Sequence, residues 1–502
     1  MKYSIDSHKS FISKKTTRGV QYKWTVLSNT TLGTVMASLD MNIVLISLPT
    51  IARELANTSI LDLLWILMGY TLITAAVLVN FGRLSDMFGR VRLYTFGFAL
   101  FTAGSALCSL SQSGPELIGF RLVQGVGAAF LFSNSGAIIT DAFDEKERGM
   151  ALGINQVAIV VGSVSGLVLG GIMTYTIGWR SIFYVNIPIG IVATWWAHHH
   201  LKELALIKRG QKIDSIGNIS FAGAISLILA GITLYATGSA HLPEVSAMLV
   251  AGVVIFIGFI LYELRIDHPM FDLRLFRIRL FAAGNLAIFM NALARGAVTF
   301  VLVFYLQGPT MRLNPFLAGV FLVPTSIALS FFGPISGWLS DKYGARILST
   351  IGLAVSAIGF IFLARLGSTT TFDQLLGPLI LVGSGMGIFA SPNRASIMNA
   401  SPPSERGIAS GMSATLVNTG QIFSMGIAFY VMSLSVPMTN LTGIFLGTSN
   451  GGSVGPWVSQ FISSIHYLFF LSAAIMLAAI IPSVLRGNKA AWQRESSRAT
   501  SK

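Results

Sequence analysis

The chain has 502 residues, of which 53% are hydrophobic and only 11% charged, and its mean hydropathy is +0.70. A soluble protein carries about 25% charge, so these values exclude a soluble enzyme or binding domain and point to an all-α protein that crosses the membrane many times. The net charge of +14 comes from Lys and Arg scattered among short connectors; that fits membrane topology and excludes a nucleic-acid-binding arm. A single cysteine, Cys108, excludes an internal disulfide and a Cys-cluster metal site.

In chain order, residues 1–23 are polar and basic and read as a cytoplasmic tail, since no cleavage site closes a short apolar region. Apolar runs then predict fourteen spanning helices near 24–48, 60–81, 91–110, 115–139, 149–173, 181–199, 216–237, 246–263, 281–307, 315–337, 347–366, 374–394, 407–433 and 464–485. With the N-terminus inside, 28 of the 34 Lys and Arg fall in inner segments. Arg53, Arg180, Arg312 and Arg365 lie outside, and Arg121 and Arg295 within spans. That asymmetry favours N-in and C-in.

The segment "GRLSDMFGRVRLY" (82–94) returns as "GWLSDKYGARILS" (337–349), so Asp341 lies 255 positions after Asp86 (341 − 86). Both copies fall on the inner side. Two extra helices, roughly 216–263, explain the long spacing and preserve the orientation of the second half. The predicted organisation is a six-helix bundle (24–200), an inserted two-helix segment (201–265), a second six-helix bundle (266–486) and a cytoplasmic tail (487–502). Parallel halves around a midplane site are a transporter signature.

The first copy resembles the loop between helices two and three of the major facilitator superfamily, and with fourteen spans the chain resembles its drug/proton antiporters of the DHA2 type. Gly82 and Gly89 allow tight turns. Asp86 is placed to cap the third helix. The resemblance implies a charge cluster of Asp86, Arg90 and Asp141 that latches the halves in the outward-facing state, with Gly337, Asp341, Gly344 and Arg346 as the second copy. The alternative is a basic loop that only obeys topology.

"LDMNIVLISLP" (39–49) resembles the family's LDxTIVNVALP motif, with Asn42 where the pattern has Thr. Asp40 is the carboxylate placed well inside a span, where an acid is a functional residue by default. It is read as the proton carrier, against a structural acid paired to a neighbouring helix. "GFRLVQGVGAAF" (119–130) resembles the family's R-x-x-Q-G-x-G-A-A pattern, which makes Arg121 the counter-charge of Asp40 and leaves Gln124 to hydrogen-bond a substrate. A buried structural ion pair is the alternative.

In "GINQVAIVVGSVSGLVLGG" (153–171), Gly162, Gly166 and Gly170, with Gly171 beside them, form a helix-packing row of the small-xxx-small kind. The spacing is similar to the family's antiporter motif, except that Leu167 stands where that motif has Pro. The departure keeps symport, uptake of a small solute or lipid movement open beside antiport.

Asn291, Arg295 and Thr299 make a polar stripe on the ninth span, and Arg295 has no evident acidic partner. It is read as binding a substrate's negative group, meeting Asp40, or serving structure alone. With Asn418 and Gln421, these residues are expected in a substrate cavity lined by helices one, four, nine and thirteen. "WRSIFYVNIPIG" (179–190), "DHPMFDLRLFRIRLF" (267–281) and "SPNRASIMNASPPSERGIASGM" (391–412) are similar to further family segments. His198, His199 and His200 close a helix beside two Trp and read as an interfacial anchor rather than a metal site.

The expected function is proton-driven export of amphipathic organic compounds from a multi-pass position in the cell membrane. Small amphipathic substrates, protons and membrane lipids are the expected partners, with no nucleic acid, cofactor or metal, no enzymatic activity, and a monomer as the working unit. A non-transporting membrane sensor is the remaining rival.

Overall fold

The computed structural model describes residues 3–204, 213–368, 370–402, 405–445 and 456–486. The expected tail at 487–502 therefore lies outside the described residues, as does part of the connector at 205–212. The described chain is helical from end to end: α1 (Tyr3–Glu54), α2 (Ile60–Phe88), α3 (Arg90–Leu110), α4 (Gly114–Ala142), α5 (Glu145–Thr176), α6 (Ser181–Tyr184) and α7 (Asn186–His200) come first. Next are α8 (Ser215–Ala236) and α9 (Leu242–Glu263). After a short 3-10 turn follow α10 (Arg279–Arg295), α11 (Val298–Gln307), α12 (Pro315–Tyr343), α13 (Ala345–Leu363), α14 (Phe372–Ala400), α15 (Arg406–Ser435), α16 (Met438–Phe445) and α17 (Pro456–Leu485).

Among the described residues, twelve helical stretches are long and apolar enough to cross a membrane. Two expected spans fall short of that description. The one at 181–199 is broken at Val185 into α6 and the 15-residue α7. The one at 407–433 is the long helix α15, whose Ser, Thr, Asn and Gln residues dilute its hydropathy. The span expected at 281–307 is interrupted at Gly296 and Ala297, dividing α10 from α11. Ser424 Oγ on α15 accepts a hydrogen bond from the Ala297 amide at 2.9 Å, so the break is supported from outside.

Helix ends fall where side chains satisfy the free amides. Ser59 and Asp62 form a reciprocal cap on α2. Asn314 Oδ1 accepts from Leu317 N at 2.8 Å to open α12, with Pro315 at its first turn. One cap differs from expectation. Asp86 lies in the last turn of α2, which runs on to Phe88, and Glu203 takes the capping role on α3, its Oε2 accepting from Val91 N at 2.9 Å. Residue 203 follows α7 and is brought there by tertiary packing, which local spacing does not reveal.

The two halves repeat each other. α2 and α12 are both 29 residues long, as are α4 and α14. In the first half α1 packs on α5, α2 on α4, and α3 on α4 and α7. In the second, α10 packs on α15, α12 on α14, and α13 on α14 and α17. The halves meet along two seams, α5 with α12 and α2 with α15. α8 and α9 pack together as a hairpin, and α8 lies against both α2 and α15.

That hairpin is fastened at the end of the bundle that carries Asp86 and Asp341, hereafter the motif end. Asp214 caps α8 through Gly217 N at 2.7 Å, and its other oxygen accepts from Met270 N at 3.2 Å. Asn80 of α2 donates to the Asp214 carbonyl at 3.1 Å. Glu263 Oε2 accepts from Phe271 N at 3.1 Å, while the Arg83 guanidinium donates to the carbonyls of His268 and Pro269. One patch of α2 thus holds the hairpin and the linker into the second half.

Candidate functional site

Asp40 and Arg121 form an ion pair sealed inside the first half. The Asp40 side chain is 0% exposed and that of Arg121 1%. Arg121 Nη1 donates to Asp40 Oδ2 and, at 2.6 Å, to Gln124 Oε1. Gln124 Nε2 donates to Asp40 Oδ1 at 2.8 Å and to Ser105 Oγ at 2.7 Å. Asn186 Nδ2 adds a bond to Asp40 Oδ1 at 3.0 Å. The guanidinium also lies over the Tyr70 ring, 4.0 Å from its centroid.

Five helices build this centre: α1 gives Asp40, α2 Tyr70, α3 Ser105, α4 Arg121 and Gln124, and α7 Asn186. Arg121, Gln124 and Asn186 present only N–H donors to the carboxylate, a set that an ionised acid fills completely. Gln124, expected on a substrate, is turned instead into this ring. Tyr70, Ser105 and Asn186 were not singled out from the sequence; only Asn186 had a signal, as part of the quoted segment 179–190.

The glycine row of α5 lies beside this centre. Ideal Cβ atoms at Gly162, Gly166 and Gly170 would stand 2.6 Å from Val35 O, 2.5 Å from Leu39 O and 2.7 Å from Ile43 Cγ1. Each glycine thus lets α1 approach by one further turn, on both sides of Asp40. Leu167 is buried, and α5 continues unbroken through it. Gly171 faces the other half, with Pro315 O 2.5 Å from its Cβ position. Nearby, Gln307 Nε2 of α11 donates to Ile46 O of α1 at 2.8 Å, so the halves are joined at the end opposite the motifs.

At the motif end, Arg90 Nε donates to Asp86 Oδ1 at 2.8 Å and Arg90 Nη1 to Asp141 at 2.8–2.9 Å. The cluster ties α2, α3 and α4 together and stays within the first half. Gly89 takes the positive φ that its corner requires (+104°), whereas Gly82 has open space around it. In the second copy Gly344 repeats that corner at +85° and Gly337 sits close to Ser391. The charges do not repeat. Asp341 is exposed and makes no ion pair with a described residue, and Arg346 stands near another cation, Arg486. Burial, followed by the charge of Arg346, pushes the Arg486 guanidinium down to about 10.

The expected stripe on the ninth span is divided by the break. Asn291 is buried and reaches Met476 Sδ on α17 at 3.6 Å. Arg295 ends α10, partly exposed, and Thr299 belongs to α11. Asn418 and Gln421 are half-buried on α15, where the Gln421 backbone closes on Gly296. These residues do not come together with Asp40. Among the described residues, no group of three or more His, Cys, Asp or Glu is placed to hold a metal.

A buried charge pair on packed spans, repeated halves and a hairpin between them define a membrane transporter. The family model described as the Major Facilitator Superfamily matches residues 30–425, and again 284–501. The chain belongs to the major facilitator superfamily; it is a multi-pass transporter of the plasma membrane and not an enzyme. It is 34% identical to the riboflavin transporter RibZ of Clostridioides difficile (strain 630), over 82% of this chain and 88% of that one. It is 29% identical to multidrug resistance protein 3 of Bacillus subtilis (strain 168), covering 87% and 84% of the two chains. It is 28% identical to the cephamycin export protein CmcT of Amycolatopsis lactamdurans, covering 89% and 90%. A bacterial homologue of the lysosomal transporter Spinster, solved inward-facing and unoccupied, shares the fold with a TM-score of 0.63 at 16% identity, over 93% of this chain and 97% of that one.

Proposed function

We propose that this chain exports amphipathic organic compounds in exchange for protons, by alternating access between its two halves. The observation that carries the reading is the mid-span carboxylate of Asp40, held by Arg121, Gln124 and Asn186 on α4 and α7. A rearrangement within the first half that draws α4 or α7 away from α1 removes a donor, and the carboxylate then binds a proton. The export name of the Amycolatopsis relative and the drug-resistance name of the Bacillus one support the direction.

In this reading the chain has fourteen spans, counting α6–α7 and α10–α11 as one each and including α15, with α16 as a connector. Both termini lie in the cytoplasm. Residues 24–200 and 266–486 are the moving halves, 201–265 the insertion, and 1–23 and 487–502 the tails. The joined end near Gly171 then faces outward. The Asp86–Arg90–Asp141 cluster braces the first half until a second-half partner, from the Asp341 loop, reaches it on closing. The transporter works as a monomer among lipids.

Leu167 and the similarity to a riboflavin transporter favour a second reading, proton-coupled uptake of a small solute. One experiment separates the two. Purified protein in proteoliposomes is given ethidium or riboflavin under a pH gradient of either polarity, as wild type and as Asp40→Asn. Export predicts accumulation against the proton flow that vanishes in the variant. Accumulation along the proton flow selects uptake, and unchanged uphill transport in Asp40→Asn removes Asp40 from the coupling.

A further inference from the structure

The offset that carries Asp86 onto Asp341 also carries Asp40 onto Arg295, 255 positions later (295 − 40). The match is structural too. Asp40 lies on α1, which packs against α5, and Arg295 lies on α10, which packs against α15. At corresponding places the two halves hold opposite charges.

Their surroundings differ. Asp40 has every oxygen engaged, whereas Arg295 makes no hydrogen bond or ion pair with any described residue. Its helical neighbours are largely enclosed. One turn before it Asn291 and Ala292 are buried, and one turn after it Val298 is buried. Arg295 itself keeps part of its surface accessible. Among the described residues the other carboxylates stand in end turns or connectors, away from this depth. Arg394 on α14 reaches across the seam to Gln156 Oε1 at 3.3 Å and likewise meets no acid among the described residues.

A guanidinium offers five N–H donors in a planar fork and cannot shed its charge. Left alone within a bundle it is costly, and the cost is offset when a carboxylate, sulfonate or phosphate docks on the fork. We propose that the transported compound carries such an anionic group and that Arg295 binds it. The inference rests on the transporter reading and names its substrate class: organic anions in preference to organic cations.

The test compares two xanthene dyes of similar size and opposite charge, carboxyfluorescein and rhodamine 6G. Binding is followed by fluorescence anisotropy with the full chain in a neutral detergent. Transport is followed in vesicles of phosphatidylcholine, with and without phosphatidylglycerol. Wild type is expected to bind carboxyfluorescein at least tenfold more tightly than rhodamine 6G. Arg295→Gln should lose that preference at least tenfold, Arg295→Lys should keep part of it, and Arg295→Asp should turn it toward the cation. Variants are compared at equal melting temperature, and Arg295→Lys serves if Arg295→Gln does not fold. Equal binding of both dyes, absence of carboxyfluorescein binding, or unchanged anion binding in Arg295→Gln overturns the inference. Competition by phosphatidylglycerol alone assigns the site to a lipid headgroup and also overturns it. Anion binding that depends on Arg295 without any transport sinks the transporter reading and leaves the binding site standing.

Discussion

Gly89 and Gly344 share one backbone corner: φ is +104° and +85°, ψ is 127° and 145°, and each amide donates at 2.9 Å to a serine carbonyl four residues back. Those serines, Ser85 and Ser340, are themselves 255 positions apart. A duplicated sequence has kept the same unusual backbone at both sites although the charges around them have diverged. The corner is therefore a property of the helical hairpin itself.

A Cβ at either glycine is strained in this conformation by about 1–3 kcal/mol. At Gly89 it also meets Glu203 Oε2 at 2.8 Å, the atom that caps α3, while at Gly344 nothing lies within 4 Å. Gly89→Ala should lower the melting temperature in detergent more than Gly344→Ala. Equal losses would mean that the Glu203 contact is unimportant.

Removing one member of the Asp40–Arg121 pair leaves a buried charge alone, a loss of about 3–5 kcal/mol. Asp40→Asn and Arg121→Gln should each depress thermal stability strongly. The double variant Asp40→Asn with Arg121→Gln, which leaves no net charge, should recover much of it. Additive losses in a double-mutant cycle would show that the two side chains are energetically independent.

The Arg90 bridges are 22–25% exposed, and such pairs contribute about 1 kcal/mol or less. Asp141→Asn should therefore change stability little. If the cluster braces the first half for closing, transport should fall severalfold in the same variant. A large stability loss with normal transport per folded molecule would reverse that assignment.

Gly171→Val should push α5 from α12 at the end where the halves are joined, since its Cβ position is 2.7 Å from Phe316 Cα. Thiol labelling of a cysteine introduced at Phe316 should speed up about tenfold. Gly153→Val, in open space on the same helix, is the control and should leave the rate unchanged.

Asp214→Ala removes the cap of α8 and the tie to Met270 together, at about 1–2 kcal/mol for the cap alone. The connector around 213 should become more accessible to protease while the two halves keep their stability. Unaltered cleavage would show that packing against α2 and α15 is enough to fix the hairpin.

Spans, duplication and the charged residues of the interior were legible because each has a local signature. Apolar length reports a membrane helix, and the two copies of the motif report the repeat. Asp40 and Arg121 stood out as charges where few belong. What stayed hidden depends on residues distant in sequence. Asn186 reaches Asp40 from 146 positions away. Glu203 replaces Asp86 as a cap because packing brings it under α3, and Gln124 turns toward Asp40 because its amide completes a ring no spacing rule describes. The break at Gly296 also escaped, since the serine that supports it lies on α15.

The placement of α8 across α2 and α15 makes the two flanks of the molecule unlike. On one flank the α8–α9 hairpin bridges the seam through the contacts of α8 with α2 and α15. On the other flank α5 and α12 touch directly through glycines. In the proposed alternating access the two seams therefore move under different restraints, one bridged by a hairpin and the other held by helix-to-helix contact alone.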